Sequence, residues 1–170
     1  MRVLGLGVLL TGESGVGKSE LALELLARGH KLIADDAAEF SRRGPRVHGR
    51  CPPLLRGFLE ARSLGILNVR RLHGARAIAG AQALDLVIQL DAPREPSEQG
   101  LERLSGSRGT RAILGVDVAE ISIPIRLGHN LAVLVEAACS DHKLRQRGYR
   151  ADDDLAARQL EAIRKNRGRP

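Results

Sequence analysis

Aromatic rings are almost missing from this chain: Phe40, Phe58 and Tyr149 are the only three in 170 residues, and there is no tryptophan. A single-strand nucleic-acid binder that stacks bases on rings would have almost nothing to stack on. Cysteine is nearly as scarce. Cys51 and Cys139 stand alone and far apart, with no CxxC and no Cys/His cluster, so neither a zinc site nor a disulfide framework is encoded. A reduced, cytoplasmic setting is the expectation. No run approaches the ~20 apolar residues of a membrane span, so no membrane partner is expected. The opening MRVLGLGVLL has one Arg ahead of a short apolar stretch, as a signal peptide does. It runs straight into Gly12-Glu13-Ser14-Gly15 with no small-residue cleavage site, and reads as a buried strand. Repeats and low-complexity tracts are absent as well.

With 43% hydrophobic residues, the chain has enough to bury for one domain spanning residues 1–170, and it is short for two. The net charge of +7 would suit nucleic acid, an acidic protein or polyphosphate. Much of that excess lies in Arg164, Lys165, Arg167 and Arg169, which read as a solvated, frayed end, so nucleic acid is not favoured.

Val3 to Leu10 reads as a central strand in which Gly5 and Gly7 let another backbone come close. Ser19 to Arg28 is rich in helix formers, gathers Leu21, Leu25 and Leu26 on one side, and stops at Gly29. Lys31 to Ala34 reads as a second strand, parallel to the first through a right-handed crossover and ending at Asp35-Asp36. Further along, Arg43-Gly44-Pro45 joins a hairpin, a helical turn covers Leu54 to Leu59, and Leu64 to Val69 and Leu84 to Leu90 are strands. Pro93 to Thr110 is loop-like, Arg111 to Ile125 holds one or two strands, and Leu131 to Arg147 and Asp152 to Arg164 are helices. The mixed order predicts an α/β fold with a mixed sheet and two C-terminal helices.

The chemistry starts at Gly12-Glu13-Ser14-Gly15-Val16-Gly17-Lys18-Ser19, a full GxxxxGK[ST] between an apolar strand and an amphipathic helix. Such a loop wraps phosphates with backbone N–H groups, and the helix N-terminus adds partial positive charge. Lys18 is placed to reach the β- and γ-phosphates of ATP, and the Ser19 hydroxyl to ligate Mg²⁺. A second carboxylate at a strand tip is also needed, and Asp35/Asp36, Asp91 and Asp117 are available. Asp35 follows the strand nearest the loop; Asp91 also ends an apolar strand and is the stronger rival on pattern alone, but Asp-Ala-Pro at 91–93 reads equally as the start of a turn, and that reading is favoured. Leu104-Ser105-Gly106-Ser107 looks like the LSGGQ signature of ABC ATPases, but too few residues separate it from Asp117 for the helix and strand that family needs, and Val118 follows where a glutamate belongs. No NKxD guanine-reading motif occurs.

GESGVGKSELALELLARGHKLIADD resembles the kinase domain of the HPr kinase/phosphorylase family, bacterial enzymes that phosphorylate a serine of the phosphocarrier protein HPr and reverse the reaction by phosphorolysis. The likeness continues in Gly49-Arg50-Cys51-Pro52-Pro53-Leu54-Leu55, in Leu59 to Val69 (LEARSLGILNV), in Leu101-Glu102-Arg103-Leu104 and in Gly128 to Val133 (GHNLAV). The resemblance implies a fold like the nucleotide domain of phosphoenolpyruvate carboxykinase, a homo-hexamer, and ATP or pyrophosphate as phosphoryl donor with Mg²⁺. It implies that Asp35 accepts the serine proton, that Glu60 is a second Mg²⁺ ligand, that Arg103 stabilises the transferred phosphoryl group, that residues 59–68 form a signature segment, and that residues 126–131 form a loop linked to dephosphorylation. Two positions depart from the family pattern. Ser63 replaces a glycine after Arg62, and His129 replaces an arginine between Gly128 and Asn130; both bear more on phosphorolysis than on the kinase direction. The family's N-terminal domain has no counterpart ahead of Met1-Arg2-Val3. A small-molecule kinase remains an alternative, with a lid supplied by the three arginines between Arg103 and Arg111, as does a nucleotide-dependent regulatory module.

Overall fold

The computed structural model describes residues 1–92, 107–126 and 128–167, with side chains through 165. A short strand β1 (Arg2–Val3) turns at Leu4 and Gly5, both at positive φ, into β2 (Leu6–Gly12). The single opening strand read from the sequence is therefore a tight hairpin. Gly5 is there for the turn, and Gly7 for the close approach: a Cβ on Gly7 would stand 2.0 Å from the Ala83 carbonyl oxygen.

Helix α1 (Lys18–Ala27) buries Leu21, Ala22, Leu25 and Leu26 and ends where Gly29 takes φ +89. A hairpin follows, β3 (Glu39–Arg43) and β4 (Arg46–Arg50). A second hairpin, β5 (Phe58–Ala61) and β6 (Gly65–Asn68), forms a separate two-stranded sheet. A 3₁₀ turn at Pro53–Leu55 precedes it, so the turn predicted over Leu54 to Leu59 is shorter and gives way to strand. Then come α2 (Val69–His73) and the long strand β7 (Gln82–Asp91). Beyond residue 106, β8 (Ser107–Ile113) and β9 (Val116–Pro124) pair antiparallel, and α3 (Leu131–Gln146) and α4 (Ala151–Arg167) close the chain. The helix α4 runs through Arg164, Lys165 and Arg167, three of the basic residues expected to fray, and Lys165 pairs with Glu161 one turn back; Arg169 lies outside the described residues.

β7 organises the seven-stranded mixed sheet. It pairs parallel with β2 and with β9, and antiparallel with β4 at Gln82 and Ala83. Its side chains alternate as a strand's must. Leu86, Ile88 and Leu90 join the main core with Leu25 of α1 and Val135 of α3, while Val87 joins a second cluster with Val47 and Val118. That alternation explains one correction. LDLVIQL is apolar on both faces and takes the edge of β2, so the chain at 31–34 never pairs with β2. Lys31 and Leu32 make only isolated bridges, to Arg2 and Ile78.

Candidate active site

The phosphate loop leaves the sheet at Gly12, paired with Leu90. A Cβ there would lie 2.6 Å from the Leu90 carbonyl oxygen, so only glycine lets the loop depart at this point. Gly17, in the left-handed region, caps α1 and aims its first N–H groups at the loop's hollow. Lys18 donates to the carbonyl oxygens of Gly12 at 3.0 Å and Glu13 at 2.9 Å, which holds its ammonium at the mouth of the loop. Ser19 sits half-buried in the first turn.

Asp35 reaches this edge without the parallel strand assumed for it. Leu32 and Ile33 are buried, anchoring the chain, and Asp35 follows half-buried. Its Oδ2 accepts a hydrogen bond from the Glu60 backbone N–H at 2.8 Å. A cavity of about 190 Å³ takes in Lys18, Asp35 and Asp36 together with apolar walls from Val8, Leu10 and Leu32. Burial pushes the Asp35 carboxyl above the usual carboxylate range, the charges of Asp36 and Glu60 push the same way, and the Glu60 amide opposes them. Loss of water is thus the main cause, and the adjacent Asp36 a secondary one.

Glu60 arrives on β5, whose alternation buries Leu59 and Ala61 in the main core and turns Phe58 and Glu60 outward. Just past that strand, Arg62 donates to Ser14 Oγ at 3.0 Å. The hairpin therefore touches both halves of the site, the loop through Arg62 and the aspartate through the Glu60 amide. The structure brings together Gly12, Glu13, Ser14, Gly15, Val16, Gly17, Lys18 and Ser19 in one loop and helix start, with Asp35 on a cavity that Lys18 also lines and the Glu60 amide bonded to Asp35. Arg103, the segment Leu101 to Leu104 and the LSGGQ-like stretch up to residue 106 lie outside the described residues.

For Mg²⁺ the test is the donor set. The Ser19 hydroxyl and the carboxylates of Asp35 and Glu60 are hard oxygen donors, and the mutual repulsion of Asp35, Asp36 and Glu60 is the kind a cation relieves. No three or more His, Cys, Asp or Glu side chains form a metal cage among the described residues. Mg²⁺ is commonly held by one or two carboxylates plus substrate phosphates and water, and Glu60 and Ser19 are oxygen donors of that kind.

Two residues stand out that sequence reading undervalued. Asp91 is the last residue of β7, one position beyond the Leu90–Gly12 pair, and its carbonyl accepts the Ile125 N–H at 2.9 Å. Arg62 reaches the loop from 48 residues away, and only its place in the 59–68 segment hinted at it. A third grouping steadies the neighbouring loop. His30 Nε2 lies 2.8 Å from Glu136, Arg28 bonds Glu24 and Glu136, and Asn130, which caps α3, donates to Glu24 at 2.8 Å.

A glycine cradle at the tip of a parallel strand, backed by a helix N-terminus, marks a P-loop domain of the kinase-like α/β kind. Within that class, the chain belongs to the family described as the HPr Serine kinase C-terminal domain, whose model matches residues 1–159. It is 52% identical over 150 residues to the HPr kinase/phosphorylase of Stenotrophomonas maltophilia (strain K279a), covering 87% of this chain and 48% of that protein. The HPr kinase/phosphorylase of Xylella fastidiosa (strain M12) matches with the same identity and coverage. The chain thus spans about half the length of these curated relatives. Among solved structures, the Hpr(Ser) kinase/phosphatase from Coxiella burnetii superposes with a TM-score of 0.80 at 34% identity, covering 91% of this chain and 93% of that one. Among the described residues no helix is long and apolar enough to cross a membrane.

Proposed function

We propose that this chain is the catalytic domain of a cytoplasmic protein-serine kinase/phosphorylase of the phosphotransferase system, one domain over residues 1–170, acting on HPr with ATP or pyrophosphate as donor. The observation that carries the reading is the placement of Asp35 on one cavity with Lys18, its carboxylate held by the Glu60 amide and its pKa raised by burial. Phosphoryl transfer asks mainly for positioning and charge neutralisation. In the kinase direction the serine hydroxyl attacks the terminal phosphorus of the donor, the new O–P bond forms as the bridging O–P bond breaks, and Asp35 takes the hydroxyl proton. In the reverse direction inorganic phosphate attacks the phosphoserine phosphorus, and Asp35 returns a proton to the serine oxygen. A raised pKa serves both directions, because a carboxyl nearer neutrality is a better acid and a better base. Lys18 and the loop amides hold the donor phosphates, Arg103 is the further cation for the moving phosphoryl group, and Ser19 and Glu60 would hold Mg²⁺. When bound, that ion would offset phosphate charge. A homo-hexamer is the proposed assembly.

The small-molecule-kinase alternative needs a mobile arginine lid up to Arg111. Arg111 is instead part of the sheet, bonded to Glu120, to Gln89 at 2.9 Å and to Thr11 at 3.2 Å. Incubation with labelled ATP, Mg²⁺ and HPr tests the proposal. Label is expected on an HPr serine and is abolished by Lys18→Ala. ATP binding without any label on HPr would sink it.

A further inference from the structure

The β5–β6 hairpin carries a cation that the family resemblance leaves without a role. Past the end of β5, Arg62 lies against the crown of the phosphate loop: its Nη2 donates to Ser14 Oγ at 3.0 Å. Its Nη1 stands so near Gly15 that a Cβ on that residue would lie 2.8 Å away, while Gly15 itself holds φ +84. The guanidinium thus lies in van der Waals reach of the loop's crown, where the positive φ of Gly15 already favours glycine. Among the described residues the Ser14 hydroxyl is its one hydrogen-bond partner, and no carboxylate pairs with it.

An arginine with five donors and a single neutral acceptor, set over a loop that binds polyphosphate, is poorly matched where it rests and well matched to phosphate oxygens. Its anchor is firm. Leu59 and Ala61 of the same strand are 1% and 3% exposed, and the Glu60 amide is bonded to Asp35, so the backbone behind Arg62 is held relative to the site. Lys18 is the loop's own cation, approaching from the helix side, while Arg62 approaches from the crown.

We infer that Arg62 is a phosphate-binding residue of this site, whose guanidinium exchanges the Ser14 hydroxyl for terminal phosphate oxygens of ATP or pyrophosphate seated in the loop. Bidentate, charge-assisted bonds then replace one neutral bond. The inference rests on the reading of the loop as a polyphosphate site, and it is independent of which protein receives the phosphoryl group. Because Arg62 reaches for the terminal phosphate position, it separates ligands by whether they fill that position: ATP does so with its γ-phosphate and pyrophosphate when seated as the β,γ pair of ATP, whereas ADP, tethered through its nucleoside, leaves it empty and gains less.

Calorimetric titration of ATP, ADP and pyrophosphate into wild type, Arg62→Gln and Arg62→Lys, at fixed Mg²⁺ and salt, tests this. Arg62→Gln is expected to lose about tenfold in affinity for ATP and pyrophosphate, as removal of charged hydrogen bonds does, and about threefold or less for ADP. Arg62→Lys should recover part of the loss, since a point charge without the fork still attracts phosphate. Unchanged pyrophosphate affinity in Arg62→Gln overturns the inference. So does an equal loss for ADP and ATP at an unchanged thermal midpoint, because it would mean that Arg62 only props the loop. Wild type that binds none of the three would overturn the phosphate-loop reading itself, whereas wild type that binds them but leaves HPr unlabelled overturns only the choice of substrate.

Discussion

The β2–loop–α1 unit and the β5–β6 hairpin face each other across the site and are held in opposite ways. In the first, functional positions 12–19 are contiguous, with β2 paired along β7 on one side and α1 buried through Leu21, Leu25 and Leu26 on the other. The hairpin is two strands outside the main sheet. Leu59 and Ala61 are buried, whereas Phe58 is 41%, Leu64 68% and Ile66 75% exposed. An isolated hairpin is marginal in water, so this one depends on its two buried side chains and on polar bonds to Asp35 and Ser14. The contrast teaches that the cradle is positioned by elements of the main sheet and core, while the groups facing it are positioned by a separate hairpin anchored through its buried face and its bonds to Asp35 and Ser14.

The largest break in that contrast is Leu59→Ala. Truncating this fully buried side chain should cost about 2–5 kcal/mol in denaturant unfolding, whereas Ile66→Ala on the exposed strand should stay within about 0.5 kcal/mol. Equal effects at the two positions would show that the hairpin is not held through its buried face.

A smaller effect sharpens the electrostatics. Asp35 has a folded pKa above its unfolded value. The stability from its neutral form is therefore full below the ordinary carboxylate range and is lost as pH rises through the folded value. Asp35→Asn, expected to abolish kinase activity, should then raise the thermal midpoint at neutral pH, with the difference shrinking in acid. In the proposed mechanism the base works only when ionised, so the acid limb of kcat/KM should lie above the ordinary carboxylate range. Asp36→Asn should move that limb down but not back to the ordinary range, because burial is the larger cause and Asp36 the lesser. A limb that returns fully would reverse that order.

The smallest effect concerns the two thiols. Cys139 is fully buried and its thiol is pushed up to about 12 by burial. Cys51 is only partly covered, and its thiol is also raised, chiefly by burial. A thiol reagent at neutral pH should modify Cys51 slowly and leave Cys139 untouched until the protein unfolds.

Legibility in the sequence followed contact distance. The cradle, α1, the 43–46 turn, the β7 run and both C-terminal helices are local patterns of glycine, apolar period and caps, and they stand where those patterns put them. The short strand at 31–34 was misread because its partner depended on competition. β7, apolar on both faces, outbid it for the edge of β2. That Asp91 ends a strand was legible from the apolar run before it, but its place beside the loop was not, because that depends on the register of β7 with β2 and β9. Arg62 could not be weighed at all, since nothing local tells a surface arginine which loop lies opposite.

By itself the amino-acid sequence determined that residues 12–19 would form a glycine-rich loop at a helix start, the shape of a phosphate cradle, because backbone amides, glycine freedom and a helix start are properties of a contiguous segment. It also carried enough of the family's pattern to place the chain in it. Only the tertiary structure decided what surrounds that loop. The desolvation of Asp35, the Glu60 amide that holds it and the guanidinium over Gly15 all come from chain segments packed together from far apart in sequence, and burial and charge at such a junction are set by the packing.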